Sequence, residues 1–192
     1  GYEVEIGDVV AVIGGGNTAI DAARAVLRMG AKKVMVLYRR TIEDMPADAR
    51  EIHDAIEEGI EIIPLVAPVR FSGKDKVEEI ECIKMKLGKF DSGGRRKPEV
   101  IEGSNFTIKV DMVIPAVSQS SDLPFIKKDE VKMTEWGTFV TDKDTLMTTM
   151  EGVFAGGDVV RGSDVVITAI ADGKKAATYI DLHLGGKGVL NK

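Results

Sequence analysis

The sequence of 192 residues contains one cysteine, Cys82, and two histidines, His53 and His183. A single thiol forms no internal disulfide, and it supplies no CxxC redox pair, iron–sulfur site or cysteine-rich zinc site. We therefore expect a reducing, cytoplasmic environment and no metal site. Cys82 is interpreted as a buried or half-buried strand residue, and each histidine as a surface or helix-face residue rather than a catalytic base.

Other absences exclude further classes of protein. The net charge of −5 argues against a general nucleic-acid binder. The longest apolar runs fall short of the roughly 20 residues that span a bilayer, so we expect no membrane segment. No GxxxxGK[ST] match supports ATP or GTP hydrolysis, and no Tyr-x-x-x-Lys pair of the short-chain dehydrogenase type occurs. What remains is a globular composition with 44% hydrophobic residues and 21 glycines.

The first 40 residues predict one strand–helix–strand unit. Residues 8–13 (DVVAVI) are nearly continuously apolar, as buried parallel strands are. Residues 17–29 have apolar side chains at helical spacing and end before Gly30. Residues 33–38 (KVMVLY) form a second strand. The fold class is therefore α/β, with a parallel sheet.

The turn between the first strand and the helix carries the first candidate site. Gly14, Gly16 and Ala19 fit G-x-G-x-x-G/A where a strand leads into a helix. The first glycine permits a tight turn, the second lets a pyrophosphate approach the backbone, and the small third residue permits close helix packing. The helix amino terminus then faces the phosphates. The alternative interpretation is a tight turn without a ligand.

The end of the second strand predicts which dinucleotide binds. An NAD site usually places Asp or Glu there to accept from the ribose 2′-hydroxyl. This sequence has Tyr38, Arg39 and Arg40 instead. A guanidinium can bind a 2′-phosphate in a bidentate manner, so the sequence favours NADP(H). The alternative is that the two arginines are solvated surface charges.

The remainder of the chain predicts a second layer and a second region. We expect a helix that opens at Met45-Pro46 with Ala49, Ile52 and Ile56 on its buried face, then a strand at 60–66. Between Pro68 and Val110, short β-prone pieces alternate with turn-rich stretches such as DSGGRRKPE, which is typical of an antiparallel meander. Residues 111–117 (DMVIPAV) predict another parallel strand. The second region is predicted to contain short strands at 136–140 and 152–155 and a helix at 164–184.

A second glycine cluster, GVFAGGD at 152–158, resembles a flavin site. Gly157 and Asp158 follow an apolar run at what we predict to be the carboxyl end of a strand, where open α/β sheets bind ligands. Asp158 could accept a hydrogen bond from a ribityl hydroxyl. The amino end of the helix after Asp164 would face the ring system and favour negative charge on a reduced flavin.

Taken together, these motifs resemble one known family over nearly the whole chain. The stretch from GGGNTAIDA to VLYRR, then MPA, EEGIEI, FDSGGRRKP, EGSNF, GVFAGGD and AIADGKKAATYI resemble the glutamate synthase small (β) subunit and related NADPH-dependent FAD oxidoreductases with two dinucleotide-binding domains. The resemblance implies a Rossmann-like NAD(P)-binding domain with a β-meander at 1–118, then the carboxyl-terminal part of an FAD-binding domain at 119–192. It implies hydride transfer from NADPH to FAD, and electron transfer onward to iron–sulfur clusters.

The resemblance also implies roles for individual residues. The NADPH phosphates would be lined by Gly14, Gly16, Asn17, Thr18 and Ala19, with Arg39 and Arg40 at the 2′-phosphate. Asp158, beside Gly157, would meet the ribityl chain, and the amides near Val165 and Val166 would approach the flavin ring. One departure lies at 116–119, where AVSQ replaces the AIGQ that the family tends to have.

The resemblance implies as well that the first FAD half and an iron–sulfur segment precede Gly1. We therefore expect a carboxyl-terminal part of a longer subunit, which binds NADP(H) but holds FAD poorly and is inactive alone. Its partners would be that upstream half-domain and a large glutamate synthase subunit or a ferredoxin-like protein. Apolar residues of the 164–184 helix would cover the missing sheet. Alternative functions are a non-catalytic nucleotide-binding module, an NADPH:ferredoxin-type subunit, or a disulfide reductase, which the missing CxxC disfavours.

Overall fold

The computed structural model describes residues 4–90, 94–117, 119–124, 126 and 130–189. The chain forms two compact units, Gly1–Val117 and Ser118–Lys192. The elements of the first unit are β1 (Val9–Ile13), α1 (Asn17–Arg28), β2 (Lys33–Tyr38), a 3₁₀ turn (Ile42–Asp44), α2 (Ala49–Glu57), β3 (Glu61–Pro64), β4 (Val66–Ser72), β5 (Glu79–Phe90), β6 (Arg96–Val100), β7 (Phe106–Lys109) and β8 (Met112–Pro115). Those of the second are α3 (Asp158–Arg161) and α4 (Val166–His183).

The first unit is built around a four-stranded parallel sheet in the order β3-β2-β1-β8. This confirms the predicted α/β fold and the strand predicted at 111–117. The chain runs outward from β1 through β2 to β3 on one side, and β8 returns to the other side of β1. The carboxyl ends of β1 and β8 therefore flank the point where the strand order reverses, which is where open α/β sheets bind ligands.

Alternation along the strands divides the core into two layers. Val10 and Val12 of β1 face the cluster that contains Ile20 and Ala23 of α1, whereas Ala11 faces a second cluster. That second cluster joins residues of the parallel sheet to residues of the meander: Ala11, Met35, Leu37, Val66, Ile80, Cys82 and Val110. Burial of each large apolar side chain stabilises the fold by about 1.5–3 kcal/mol. The sheet is thus covered by helices on one face and by the meander on the other.

Helix α2 begins later than the sequence predicted. It is capped by Asp48, whose carboxylate accepts a hydrogen bond from the amide of Arg50. Pro46 therefore lies before the helix rather than in its first turn, and the prediction was wrong. The buried face consists of Ile52 and Ala55. Ala49 is exposed and Ile56 is 46% exposed, so the predicted buried face is correct at Ile52 and wrong at the other two positions.

The antiparallel meander is confirmed, with two adjustments. β5 pairs with β4, β6 and β7, and β6 occupies part of the stretch that we interpreted as a turn. The predicted strand at 60–66 is divided, because Leu65 adopts a φ of 56°. β3 before it joins the parallel sheet and β4 after it joins the meander.

The second unit contains isolated β-bridges where two strands were predicted. Met133 bridges to Phe139 and Met147 bridges to Phe154. Neither 136–140 nor 152–155 forms a regular strand. The long helix at 164–184 is confirmed as α4. Its exposed large apolar residues are Val166 (75%), Ile167 (70%), Ile170 (54%), Ile180 (40%) and Leu182 (44%). No helix within the described ranges is long and apolar enough to cross a membrane.

Candidate dinucleotide-binding site

The glycine turn after β1 is held by contacts that exclude side chains. Gly14 has a φ of 148°, and a methyl group on it would overlap the carbonyl oxygen of Ala116, which follows β8. The amide of Gly14 donates to the carbonyl of Leu37 at 3.1 Å, and the amide of Ala116 donates to that of Ile13 at 2.8 Å. The turn is therefore fixed between the ends of β2 and β8.

Gly15 fills a role that the sequence analysis missed. A methyl group there would overlap the ring of Tyr38. Tyr38 is buried, and its hydroxyl donates to the carbonyl of Asp44 at 2.9 Å. The run of three consecutive glycines was the available signal, because the motif itself requires only the first and third of them.

Gly16, in contrast, faces open space. A methyl group on Gly16 would have only the Pro46 side chain nearby, at 4.0 Å. Gly16 is the N-cap of α1, and its carbonyl accepts from the amides of Ala19 and Ile20. The preceding amides, those of Asn17 and Thr18, have no intrahelical acceptor. No acidic residue lies in the first turn of α1, so the positive end of the helix dipole is not offset there.

The segment from Met45 to Asp48 packs onto this turn. The amide of Ala47 donates to the carbonyl of Gly15 at 3.1 Å, and the amide of Asp48 donates to Oδ1 of Asn17 at 2.8 Å. Met45 and Ala47 are buried in the core. The MPA motif, to which the sequence assigned a helix start and a family resemblance but no site role, thus forms one wall of the candidate site.

The contact with Asp48 also fixes the orientation of the Asn17 side chain. A main-chain N–H only donates, so the atom of Asn17 that faces it must be the oxygen. The Nδ2 group is then directed away from Asp48. Asn17 and Thr18 are exposed, and Ala19 is fully buried against the core. The turn can therefore offer main-chain and side-chain donors to an anion without a nearby carboxylate in the helix.

The two arginines that follow β2 have different environments. Arg39 is exposed, and the described residues give its side chain no ion pair. Arg40 is 6% exposed, and its Nε donates to the carbonyl of Arg96 in β6 at 2.9 Å. Because Leu37 contacts Gly14, both arginines follow a strand whose end lies beside the glycine turn.

In the second unit, the glycine cluster is organised by an aspartate that the sequence analysis did not single out. Asp172 of α4 is 3% exposed. It accepts from Nε and Nη2 of Arg161 at 2.8 and 2.7 Å and from the amide of Gly157 at 2.9 Å. These hydrogen bonds, Arg161 first, lower the pKa of Asp172 to about 2. Asp172 lies in the quoted motif AIADGKKAATYI, but its burial could not be inferred from that pattern.

Of the predicted flavin-side residues, Gly157 is buried, whereas Asp158, Val165 and Val166 are exposed. Gly157 has a φ of 69°, and the Asp158 side chain after it is exposed. Val165 and Val166 are 55% and 75% exposed. The amide of Val165 donates to Oδ1 of Asp164 at 2.8 Å, so this amide already has an acceptor. The unit holds an exposed carboxylate and an apolar helix end, each of which suits part of a flavin nucleotide.

Other predicted positions contribute less. Val117 in the AVSQ stretch is 61% exposed, and Ser118 lies outside the described residues. Cys82 is fully buried in β5, as predicted, and burial raises the pKa of its thiol to about 11. In the part of the chain that the structure describes, no group of three or more His, Cys, Asp or Glu side chains is arranged to hold a metal ion.

Comparison with known proteins confirms the resemblance derived from the motifs. The glutamate synthase [NADPH] small chain of Azospirillum brasilense is 45% identical over 183 residues, which are 94% of this chain and 38% of that protein. The NADP(+)-dependent formate dehydrogenase subunit beta of Moorella thermoacetica is 44% identical over 179 residues, which are 93% of this chain and 25% of that protein. The chain therefore spans well under half the length of either relative.

The fold is shared with solved structures of the same kind. The crystal structure of T. acidophilum thioredoxin reductase superposes with a TM-score of 0.69 at 25% identity, and the match covers 90% of this chain and 51% of that one. Residues 3–173 match the family described as pyridine nucleotide-disulphide oxidoreductase. With nearly nine tenths of the sequence matched and NADPH-dependent enzymes among its relatives, the chain belongs to the pyridine nucleotide-disulphide oxidoreductase family.

Proposed function

We propose that this chain is the NADPH-binding portion of an NADPH-dependent flavin oxidoreductase that most resembles the glutamate synthase small subunit. In the full protein, hydride would pass from NADPH to FAD and electrons onward to iron–sulfur clusters. The domain assignment, with NADPH at 1–118 and part of the FAD domain at 119–192, is part of this proposal.

The observation that carries the proposal is the glycine turn at the switch point of the parallel sheet. Gly14 and Gly15 are packed tightly, whereas Gly16 faces open space at the amino end of α1. The free amides of the first turn and the Nδ2 group of Asn17 are donors suited to a pyrophosphate. The exposed Arg39 at the end of β2 suits a 2′-phosphate. These residues fit NADP(H) better than NAD(H).

Each residue of this chain would contribute binding and orientation rather than proton transfer. NADPH, when bound, supplies the hydride, and the chemistry belongs to the cofactors. Gly14 and Ala19 would keep the turn close to the helix, Asn17 and Thr18 would bind phosphate oxygens, and Arg39 would bind the 2′-phosphate. Asp158 would accept from a flavin ribityl hydroxyl, and the helix end at Val165 and Val166 would pack near the ring.

The final electron acceptor is left open in the proposal, because relatives of nearly equal identity have different names. One is a glutamate synthase small chain and the other a formate dehydrogenase subunit. A large glutamate synthase subunit or a ferredoxin-like protein are both partners of the kind proposed. The proposed function includes no thiol chemistry at Cys82, since this residue is fully buried.

Calorimetric titration of the chain with NADPH and NADH tests the proposal. We expect NADPH to bind at least roughly tenfold more tightly, because a charge-assisted contact to the 2′-phosphate contributes about 1.5–3 kcal/mol. Asn17→Asp keeps the acceptor for the Asp48 amide but replaces the Nδ2 donors with a negative charge. It should weaken both nucleotides by about tenfold or more.

The matched control is Asp21→Asn, which alters a carboxyl group on the exposed side of the same helix and should leave both affinities within about twofold. Failure of the wild-type chain to bind either nucleotide would contradict the proposal. Binding of both nucleotides with equal affinity would contradict the NADP(H) preference alone. Absorbance of the purified chain tests the flavin side, where we expect less than stoichiometric FAD.

A further inference from the structure

Arg40 joins the parallel sheet to the meander. Its carbonyl accepts from the amide of Leu65, at the β3–β4 junction, at 3.0 Å, and the carbonyl of Leu65 in turn accepts from the amide of Met85 in β5 at 2.8 Å. Its side chain reaches a third element, because Nε donates to the carbonyl of Arg96 at 2.9 Å. Arg40 therefore connects the end of β2 directly to the β3–β4 junction and to β6, and Leu65 extends this connection to β5.

Burial and bonding leave the Arg40 guanidinium poorly placed for a ligand. The residue is 6% exposed, and one of its donors already has a main-chain acceptor. A phosphate that bound Arg40 would have to reach a residue that is almost fully buried. Such a group gains stability from the hydrogen bond that it already makes, and exchanging that bond for a ligand would expose an unsatisfied carbonyl.

Arg39 has the opposite properties. It is exposed, and no described residue forms an ion pair with its side chain. A guanidinium of this kind keeps all five N–H donors available for a bidentate contact. Arg39 follows β2 directly, where an NAD-type site would carry its ribose-binding acid.

We propose that NADPH specificity depends on Arg39 alone, and that Arg40 is a structural residue that fastens the meander to the end of β2. The inference rests on the proposed function, since it divides between two neighbours a role that the sequence assigned to both. It also assigns a structural role to the GRRKP stretch, because the carbonyl of Arg96 in that stretch accepts the hydrogen bond from Arg40.

Matched substitutions separate the two residues. Arg39→Met and Arg40→Met each remove one charge and keep a long apolar side chain. The measurements are calorimetric affinities for NADPH and for NADH, together with the thermal midpoint of each variant. Arg39→Met should reduce the NADPH-to-NADH preference to within about twofold of unity while leaving the thermal midpoint within about 2 °C of wild type.

Arg40→Met should keep the preference within about threefold of wild type, while its thermal midpoint falls by about 5 °C or more. Loss of the preference in Arg40→Met, to the extent seen in Arg39→Met, would overturn the inference. If Arg40→Met does not fold, Arg39→Met still decides, because a residual preference above about threefold would reveal a second cation at the 2′-phosphate. Failure of the wild-type chain to bind nucleotide would count against the proposed function instead.

Discussion

The two glycine clusters of this chain look alike in sequence but are held by different forces. In the first unit, Gly14 follows a buried strand and is confined by the main chain of Ala116. In the second unit, Gly157 follows an isolated bridge, and its amide is bound by the carboxylate of Asp172. Close packing at the end of a sheet fixes the first turn, and a buried carboxylate that also pairs with a half-exposed arginine fixes the second.

The difference follows from the size of the cores around the two turns. The core clusters of the first unit include Val10, Val12, Ile20 and many further side chains. Among the described residues of the second unit, the core cluster consists of Val131, Phe139 and Ala155, with some partly buried neighbours. A small core supplies less apolar burial, so specific polar contacts contribute a larger share of the stability of the turn in the second unit. The two turns should therefore respond to different perturbations.

The largest effect is expected at Gly14. Substitution by alanine forces an L residue into a φ of 148° and drives a methyl group into the Ala116 carbonyl. Strain and overlap together should destabilise the first unit by about 3 kcal/mol or more. Urea denaturation followed by circular dichroism measures this change.

Gly16→Ala is the matched control for Gly14→Ala. Gly16 has a φ of −90°, and the nearest neighbour of an added methyl group lies at 4.0 Å. We expect a stability change within about 0.5 kcal/mol, together with weaker NADPH binding because the methyl group occupies the space above the turn. Equal destabilisation by the two substitutions would show that packing does not distinguish these glycines.

The second turn should instead respond to loss of the Asp172 charge. Asp172→Asn removes the ion pair with Arg161 and weakens the bond to the Gly157 amide. Breaking a fully buried pair costs about 3–5 kcal/mol. The Arg161 side chain is 46% exposed, so we expect a smaller loss of about 2 kcal/mol at neutral pH. Urea denaturation at a series of pH values measures it.

The pH dependence has a definite direction. The pKa of Asp172 is lowered to about 2, so its carboxylate stabilises the fold above the unfolded pKa of about 4. This contribution is lost as the pH falls through the folded pKa. The difference between wild type and Asp172→Asn should be full above about pH 5 and shrink between about pH 4 and 2. Asp158→Asn, which alters an exposed carboxylate of the same turn, should change stability by less than about 0.5 kcal/mol throughout.

The sequence predicted the first unit better than the second because its elements have regular hydrophobic patterns. Continuous apolar runs identified β1, β2 and β8, and helical spacing identified α1. The second unit has isolated bridges where strands were predicted. The β-prone residues at 136–140 therefore predicted a strand that does not form. Trp136, which we included in a strand, is 83% exposed on a tight turn.

Candidate residues were found where a motif has a mechanism, and missed where a role depends on a distant partner. G-x-G-x-x-A identified the turn, but the roles of Gly15 and of the Met45–Asp48 segment depend on contacts with residues 23 or more positions away. The difference between Arg39 and Arg40 has the same origin, since the Arg40 acceptor lies 56 residues along the chain. Asp172 and Arg161 are 11 residues apart on separate helices, and no sequence pattern predicts an ion pair at that separation.

The smallest effect is expected at Asp48, which contacts α2 through its side chain and Asn17 through its main chain. Asp48→Ala removes the side-chain cap on the Arg50 amide and should cost about 1 kcal/mol of stability. It keeps the main-chain donor to Asn17, so NADPH affinity should stay within about twofold of wild type.

Asp48→Pro removes the main-chain donor as well, at a φ of −58° that proline adopts without strain. Its NADPH affinity should fall by about threefold or more relative to Asp48→Ala, because Oδ1 of Asn17 loses the contact that orients its amide. NADH affinity should fall by the same factor, since the pyrophosphate is common to both nucleotides. Calorimetry on the pair measures both factors. If Asp48→Pro and Asp48→Ala bind NADPH equally, the Met45–Asp48 segment supports the fold without orienting Asn17, and the glycine turn binds phosphate through its main chain and helix dipole alone.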